Sequence, residues 1–420
     1  MTTVLVYGYA KALLDAACAI LPAGSVVAVE EPDLIARRRL AGHAAACPAV
    51  ARLVPMAHMD ADDVVPPGCE DVAGVLPGLE YGVESAARAA HRLGLPGATP
   101  RAARILRDKA LLREAAALAG IPGPMWTRVT TPAEASRAVA RFGGHAVLKP
   151  ANRQASLGVQ LMEPGDSVEE AWRRMTGVEE TAFVPDRGLP PKYLAEQRLS
   201  GQEYSTEAFV RDGEPVFVNP TLKRVAPGPH PVEIGHVVPA PLDGERAARL
   251  RGLTARLATA IGFGTGVLHA EWIDTGGDFH LVECAGRMPG DGIFDLVERA
   301  YGFPPVRAFV ELMCGRPVDL PERAGAGAAV RFVTAPAGRI THARWPAYDE
   351  AECVLTARVG DVAAPLRSSW DRLGHAIAVG ATGEEAEERA VKAVSLLSLR
   401  VEEVVGETSL DVAAGGDGAR

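Results

Sequence analysis

The 420-residue sequence predicts a multidomain protein of mixed α/β and α+β class. Three observations carry that expectation. Over about the first hundred residues, short apolar runs alternate with helical segments, the signature of parallel βαβ units. Further on, apolar runs are joined by the tight turns Asp212-Gly213 and Gly276-Gly277, which favour antiparallel hairpins. After Gly315-Arg316-Pro317 the composition shifts to small residues, and a new set of strands begins at Val330.

Val4 to Tyr7 reads as a strand ending at Gly8, followed by an Ala- and Leu-rich helix to about Ile20. Ser25 to Val29, Ala51 to Pro55 and Asp71 to Leu76 are further strands; Tyr81 to Leu93 is a helix stopped by Gly94. A dinucleotide site in such a domain needs Gly-x-Gly-x-x-Gly, so that the backbone can approach a pyrophosphate. The chain offers only Gly8-Tyr9-Ala10-Lys11, so the fold is expected without that cofactor.

Arg101 to Ala119 reads as one basic amphipathic helix containing Asp108-Lys109, followed by the rigid linker Ile121-Pro122-Gly123-Pro124. Next come a helix, Pro132 to Phe142, and a strand, Ala146 to Lys149. The loop Ala151 to Gly158 leads to a strand, Val159 to Met162. Lys149 at a strand end, ahead of a loop with Ser156 and Gly158, suits a phosphate grip, because backbone N–H groups and an ammonium can share the oxygens. Tyr193 to Leu199 and Glu203 to Val210 are strands, continued at Phe217 to Val218. Asn219 to Leu242 is Pro-rich and reads as irregular; it carries Lys223, Arg224, Glu233 and His236, as substrate-meeting loops do. Gly244 to Ile261 and Gly383 to Leu397 are helices. Residues 413–420 read as a disordered tail.

The segment from Gly266 to Val297 reads as a hairpin, a Pro-Gly-Asp turn and a helix. Two acids, Glu271 and Glu283, sit where strand interiors should be apolar. A three-residue loop at Thr275 to Gly277 would pair His269 with Glu283. Glu271 then lies diagonally on the same face, roughly 7–8 Å away. Two carboxylates so placed suit a shared Mg²⁺ beside a phosphate; the alternative is a solvated edge hairpin with two surface acids.

Hydrophobic content of 48% allows sizeable cores, and with aromatics at only 5% Leu, Val and Ala must fill them. A formal charge of −9 argues against a general nucleic-acid or acidic-membrane surface, and no stretch is long enough to span a bilayer. The six cysteines are scattered without a CxxC pair, the pattern of reduced thiols in a cytoplasmic protein.

The motifs fall in one order. Asp108-Lys109 is followed by Leu148-Lys149-Pro150 with its Ser/Gly loop, then Glu196-x-x-Leu199-x-Gly201-x-Glu203, His269-Ala270-Glu271 and Glu283. This order resembles the ATP-grasp superfamily of carboxylate–amine ligases across about residues 3 to 408. Pro231 to Pro239 and Val282 to Arg287 are similar to bacterial L-amino acid ligases of the alanine–anticapsin type. Ala285 stands where most of the superfamily carries a metal-binding Asn, a change that those ligases share.

The resemblance implies an ATP-grasp fold. A Rossmann-like domain would cover residues 1–105 and an ATP-grasp domain 106–320, divided into a small lid subdomain, 122–197, and a large one, 198–320. A C-terminal lid domain would follow at 321–412. It also implies an ADP-forming reaction in which a carboxylate becomes an acyl-phosphate that an amine attacks. An ATP-grasp carboxylase using bicarbonate, or an inactive nucleotide-binding regulatory protein, remain alternatives.

By the same resemblance Lys109 and Lys149 hold the ATP phosphates under the Ser156–Gly158 loop. Adenine lies along Glu196, Gln197 and Leu199, Glu203 takes the ribose, and Lys223 reaches the γ-phosphate. Glu271 and Glu283 hold the metal, two Mg²⁺ with Mn²⁺ able to substitute. Arg287 steadies the acyl-phosphate, Glu233 recognises an ammonium group, and His236 assists orientation or proton transfer. Gly290 and Asp291 shape the acyl side; a bulky aromatic matches Asp291 in the alanine–anticapsin type, which implies room here for something larger or cationic. The expected partners are small-molecule carboxylate and amine substrates, with neither nucleic acid nor membrane, in a chain that forms homodimers as the family often does.

Overall fold

The computed structural model describes residues 3–61, 64–228 and 230–403, so the tail expected at 413–420 lies outside the described residues. The chain begins with four parallel strands, β1 (Val4–Tyr7), β2 (Val26–Glu30), β3 (Val50–Pro55) and β4 (Gly74–Pro77), in the order β3-β2-β1-β4. β1, β2 and β4 are buried along their whole length, which is why they read as unbroken apolar runs. The helix Val83–Leu93 covers this sheet with an Ala-rich face and ends at Gly94 in the left-handed region. Cys18 and Cys47 form a disulfide, with Cα atoms 6.2 Å apart, so the expectation of reduced thiols fails for this pair. The fold brings two cysteines 29 residues apart side by side, which spacing alone does not reveal.

A small antiparallel sheet follows: β5 (Trp126–Val129), β6 (Ala146–Pro150), β7 (Gln160–Met162) and β8 (Tyr193–Gln197), in the order β5-β8-β6-β7. The helices Pro132–Arg141 and Val168–Thr176 pack on it around Phe142, Leu148, Met162 and Met175. Each helix starts on a hydroxyl cap, Thr131 or Ser167.

The middle of the chain supplies β9 (Gln202–Arg211), β10 (Glu214–Val225), β11 (Glu233–Val238), β12 (Gly266–Asp274) and β13 (Phe279–Ala285). The C-terminal part adds β14 (Gly327–Val333), β15 (Gly338–Arg344), β16 (Ala351–Leu355), β17 (Val362–Ala363), β18 (Gly374–Gly380) and β19 (Ser398–Glu402). Eight of these strands form one sheet in the order β13-β12-β9-β10-β11-β14-β18-β16, and β17-β15-β19 form a separate one. The large sheet thus runs without interruption from the central hairpin into the C-terminal strands through the antiparallel β11–β14 pair.

Two expectations are corrected. The segment 219–242 is not irregular: β10 extends through Val225 and β11 occupies Glu233–Val238, so Lys223, Glu233 and His236 sit on strands. Pro220 lies within β10, with its carbonyl accepting from Ala240 N at 2.7 Å. The helix expected over 101–119 is two helices, Pro100–Leu106 and Lys109–Leu118. Asp108 breaks it, since its backbone is extended and its carboxylate accepts from Ala110 N and Leu111 N as an N-cap. Lys109 therefore stands at the start of a helix, with its own N–H donating to Ala151 O across to the small sheet.

A buried ion cluster locks that helix to the small sheet. Arg113 donates twice to Glu196, at 2.9 and 3.1 Å, and Lys149 lies 2.7 Å from the same carboxylate. Burial opposes ionisation of Glu196, but the two cations outweigh it and bring its pKa from 4.5 to about 2. Glu196→Gln leaves two buried cations without a counter-charge, so it should cost ~3–5 kcal/mol in denaturant unfolding. Because the folded-state pKa is depressed, this stabilisation is complete above pH 4.5 and fades as pH falls towards about 2. Asp108→Ala should cost only ~1 kcal/mol in the same measurement, the value of a lost N-cap.

Candidate active site

The hairpin of β12 and β13 positions the two acids, in a register different from the expected one. Its loop has four residues, Thr275 to Asp278, so that Asp274 pairs with Phe279. That count alone would set Glu271 opposite Val282 and send the two acids to opposite faces. A β-bulge at Val282 restores the phase, and Glu271 pairs directly with Glu283. The carbonyl of Val282 accepts from Arg113 at 2.6 Å, which satisfies a bulged backbone group. The acids are therefore direct cross-strand neighbours, with Cβ atoms ~4.5–5.5 Å apart, rather than the expected diagonal pair.

Strand alternation extends this polar face across the sheet. Glu271 pairs with Ser205 on β9, and Ser205 with Thr221 on β10. One row over, His269 pairs with Glu207 and Glu207 with Asn219. Glu207 is fully buried and accepts from Ser205, Asn219 and Thr221 at 2.6–2.9 Å. His269 lies between two acids, with Nδ1 3.1 Å from Glu207 and Nε2 3.4 Å from Glu271. Burial would lower its pKa, but the two carboxylates push it up to about 9, so the ring is cationic at neutral pH.

Each remaining acid meets an ammonium. Lys223, buried on β10, has its Nζ 2.9 Å from Glu271, 3.2 Å from Glu233 and 3.6 Å from Glu203. Burial disfavours its charge, yet three carboxylates hold its pKa well above the usual lysine value. Glu271 is half-buried, and Lys223 and His269 hold it well below the carboxylate range. Glu203 shifts upward, because burial and the neighbouring Glu271 and Glu233 outweigh Lys223. On the other strand Lys109 Nζ lies 3.0 Å from Glu283.

The turn after β13 carries Arg287, which donates to Glu80 at 2.8 Å and to the Met288 carbonyl at 2.6 Å. Glu80 also accepts from Arg107 at 2.6 Å, and the pair of arginines brings it to about 2 despite burial. Asp291, in the left-handed region at φ 56°, accepts two hydrogen bonds from Arg372 and lies 3.2 Å from His236 Nε2.

The acids and cations of this face border one cavity of ≈ 810 Å³, whose wall includes Lys109, Lys223, His269, Glu271, Glu283, Arg287 and Arg372. The candidates Lys109, Lys149, Ser156, Glu196, Gln197, Leu199, Glu203, Lys223, Glu233, His236, Glu271, Glu283, Arg287, Gly290 and Asp291 are all on its wall. Gly158 is not; its φ of 77° and the close approach of Pro150 make it a turn residue of the loop. Arg113, Arg372, Trp370 and the Glu80–Arg107 pair were not singled out from the sequence. Glu207 could have been, from the period-two run Glu203, Ser205, Glu207.

The donor set suits a hard cation. Mg²⁺ is commonly held by one or two carboxylates with phosphate and water oxygens, and Glu271 with Glu283 offers that pair. Among the described residues no larger group of ligating side chains is gathered, and Ala285 adds no ligand beside Glu283.

The ATP-grasp domain family matches residues 143–295, and L-amino acid ligase C-terminal domain 2 matches residues 331–402. An uncharacterised protein of Sinorhizobium fredii is 27% identical over 337 residues, 77% of this chain and 68% of that protein. The alanine–anticapsin ligase of Bacillus subtilis is 26% identical over 253 residues, 56% of this chain. That alignment spans 53%, about half, of the ligase's own length. The crystal structure of an L-amino acid ligase from Bacillus licheniformis superposes with a TM-score of 0.70 at 19% identity, covering 96% of this chain and 99% of that one. N5-carboxyaminoimidazole ribonucleotide synthetase from Thermus thermophilus gives 0.67 at 18% identity, covering 96% and 100%. At such identities the structural likeness speaks for the fold. The chain thus carries an ATP-grasp domain followed by an L-amino acid ligase C-terminal domain.

Proposed function

We propose that the protein is an ATP-dependent, ADP-forming ligase that activates an amino acid carboxylate and joins it to an amine, that of a second amino acid. The observation that carries this reading is the Glu271–Glu283 pair, flanked by Lys109, Lys149 and Lys223 in a cavity that also holds Arg287 and Glu233. A bound Mg²⁺, or Mn²⁺ in its place, would be held by Glu271 and Glu283 and would supply charge neutralisation at the phosphates. Lys109 and Lys149 hold phosphate oxygens, with Glu196 fixing the Lys149 ammonium at 2.7 Å. Adenine lies along Gln197 and Leu199.

In the first step a substrate carboxylate oxygen bonds to the γ-phosphorus, and the bridging oxygen leaves with ADP. Positioning and electrostatics do most of the work in such a transfer. Arg287 is preset for the acyl-phosphate, because Glu80 and the Met288 carbonyl fix its guanidinium. In the second step the amine nitrogen bonds to the acyl carbon, phosphate leaves, and the nitrogen gives up a proton. Glu233 holds the ammonium of an amino acid. His236, with its Nε2 3.2 Å from Asp291, assists orientation or proton transfer from the attacking amine.

With ATP, Mg²⁺ and an amino acid pool, the protein should release ADP and phosphate in step with an amide product seen by mass. AMP and pyrophosphate as products would sink this mechanism, and turnover driven by bicarbonate alone would reveal a carboxylase. Glu283 is 36% exposed in its side chain, so Glu283→Gln should keep the wild-type melting temperature. Its turnover should nonetheless fall by ~10²-fold or more, as expected when stabilisation of transferring charge is lost.

A further inference from the structure

The carboxylate of Asp291 is already matched within the protein. Arg372 donates to both of its oxygens, at 2.6 and 2.9 Å, and His236 on β11 approaches to 3.2 Å. The guanidinium is committed on all three nitrogens. Nε donates to the Ser369 carbonyl at 2.8 Å, Nη1 also reaches the Glu233 carbonyl at 3.3 Å, and the group lies 3.8 Å over the Phe332 ring. A bidentate, stacked arginine of this kind holds its geometry. A cationic substrate side chain at Asp291 therefore meets a carboxylate that is already matched.

The same C-terminal segment offers a different surface. Ser369 donates to Glu233 at 3.3 Å, which brings the next residue, Trp370, beside the group proposed to hold an ammonium. Trp370 is 74% exposed; of the exposed large apolar side chains among the described residues, it is the one on the cavity wall. Its ring lies 6.4 Å from that of Phe183, at an interplanar angle of 25°. Phe183 comes from the connection between the Val168–Thr176 helix and β8, so the aromatic pair spans from the C-terminal part to the small sheet. Ile293 and Pro231 add apolar wall to the same cavity. An exposed indole on a concave wall offers a large rigid face at small entropic cost to its partner.

We propose that Trp370 is a specificity-determining residue, its indole face receiving the apolar side chain of an amino acid whose ammonium is held by Glu233. This rests on the ligase reading above. The test is amino-acid-dependent ADP formation by the full chain with leucine, methionine, phenylalanine, alanine, serine or lysine, comparing wild type with Trp370→Ala and Trp370→Phe. Wild type should show its lowest KM with one of the large apolar acids. Trp370→Ala should raise those KM values ~10-fold and leave alanine, serine and ATP within about twofold. Trp370→Phe should retain most of the discrimination, and both variants should melt with wild type because the indole is exposed. Three outcomes overturn this inference and leave the ligase reading standing: an equal change for every acid, no change for the apolar ones, or a wild-type preference for lysine. No amino-acid-dependent ADP from wild type overturns the ligase reading, and this inference with it.

Discussion

Carboxylates gathered on one face of a sheet repel one another and lose hydration, so the site can exist only if cations from other elements answer them. Lys223 stands among Glu203, Glu233 and Glu271, Lys109 faces Glu283, and His269 sits between Glu207 and Glu271. Around Lys223 one ammonium serves three acids, and Glu203 shifts upward chiefly because it is buried, with Glu271 and Glu233 adding to the shift. A face with excess negative charge is poised for a cation. Under the proposed function, a metal–polyphosphate offers the acids a cation and the lysines new anions, so charge is exchanged rather than uncovered. Buried ion pairs are weak evidence for stability, and partner exchange gives these pairs a reason to exist beyond folding.

The bulge at Val282 shows how local and distant chemistry share one decision. A four-residue hairpin loop puts the two acids out of phase, and a single extra residue puts them back. Arg113 spans both sides of that decision: it binds the Val282 carbonyl and clamps Glu196, which in turn fixes Lys149. The acid pair and a lysine of the small sheet are thus tied to the same helix. That helix begins where it does because Asp108 caps it, which also sets Lys109 opposite Glu283.

Much of this was legible in the sequence, and what was not has a common cause. Continuous apolar runs marked the parallel strands, and two acids inside strands marked the hairpin, because both signals are local. The ordered lysines and acids pointed to the family, since their sequence order survives even where each motif is loose. The register was missed because a bulge has no composition of its own. The helix break was missed because Ala, Leu and Arg favour helix on both sides of Asp108 and mask the cap. Arg113, Arg107 and Arg372 carry no local signal that sets them apart in a chain with 44 Lys and Arg. Their partners lie 83, 27 and 81 residues away, and only tertiary structure brings them together.

The continuous sheet bears on how the substrate side is built. β11 carries Glu233 and His236 and is hydrogen-bonded on one edge to β10, with Lys223, and on the other to β14. β14 pairs in turn with β18, and the segment just before β18 delivers Ser369, Trp370 and Arg372 back over Glu233 and Asp291. A strand paired on both sides has little freedom to slide, because a one-residue slip would turn its side chains to the wrong face. The residues proposed to meet phosphate and those proposed to meet the amino acid are therefore held in register by one hydrogen-bonded ladder. Variation in the short segment 366–373 can then reshape the pocket wall while the acids, lysines and Arg287 stay where the chemistry needs them. Under the proposed function, that separation of a fixed reaction centre from an adaptable wall would let one scaffold serve different substrates.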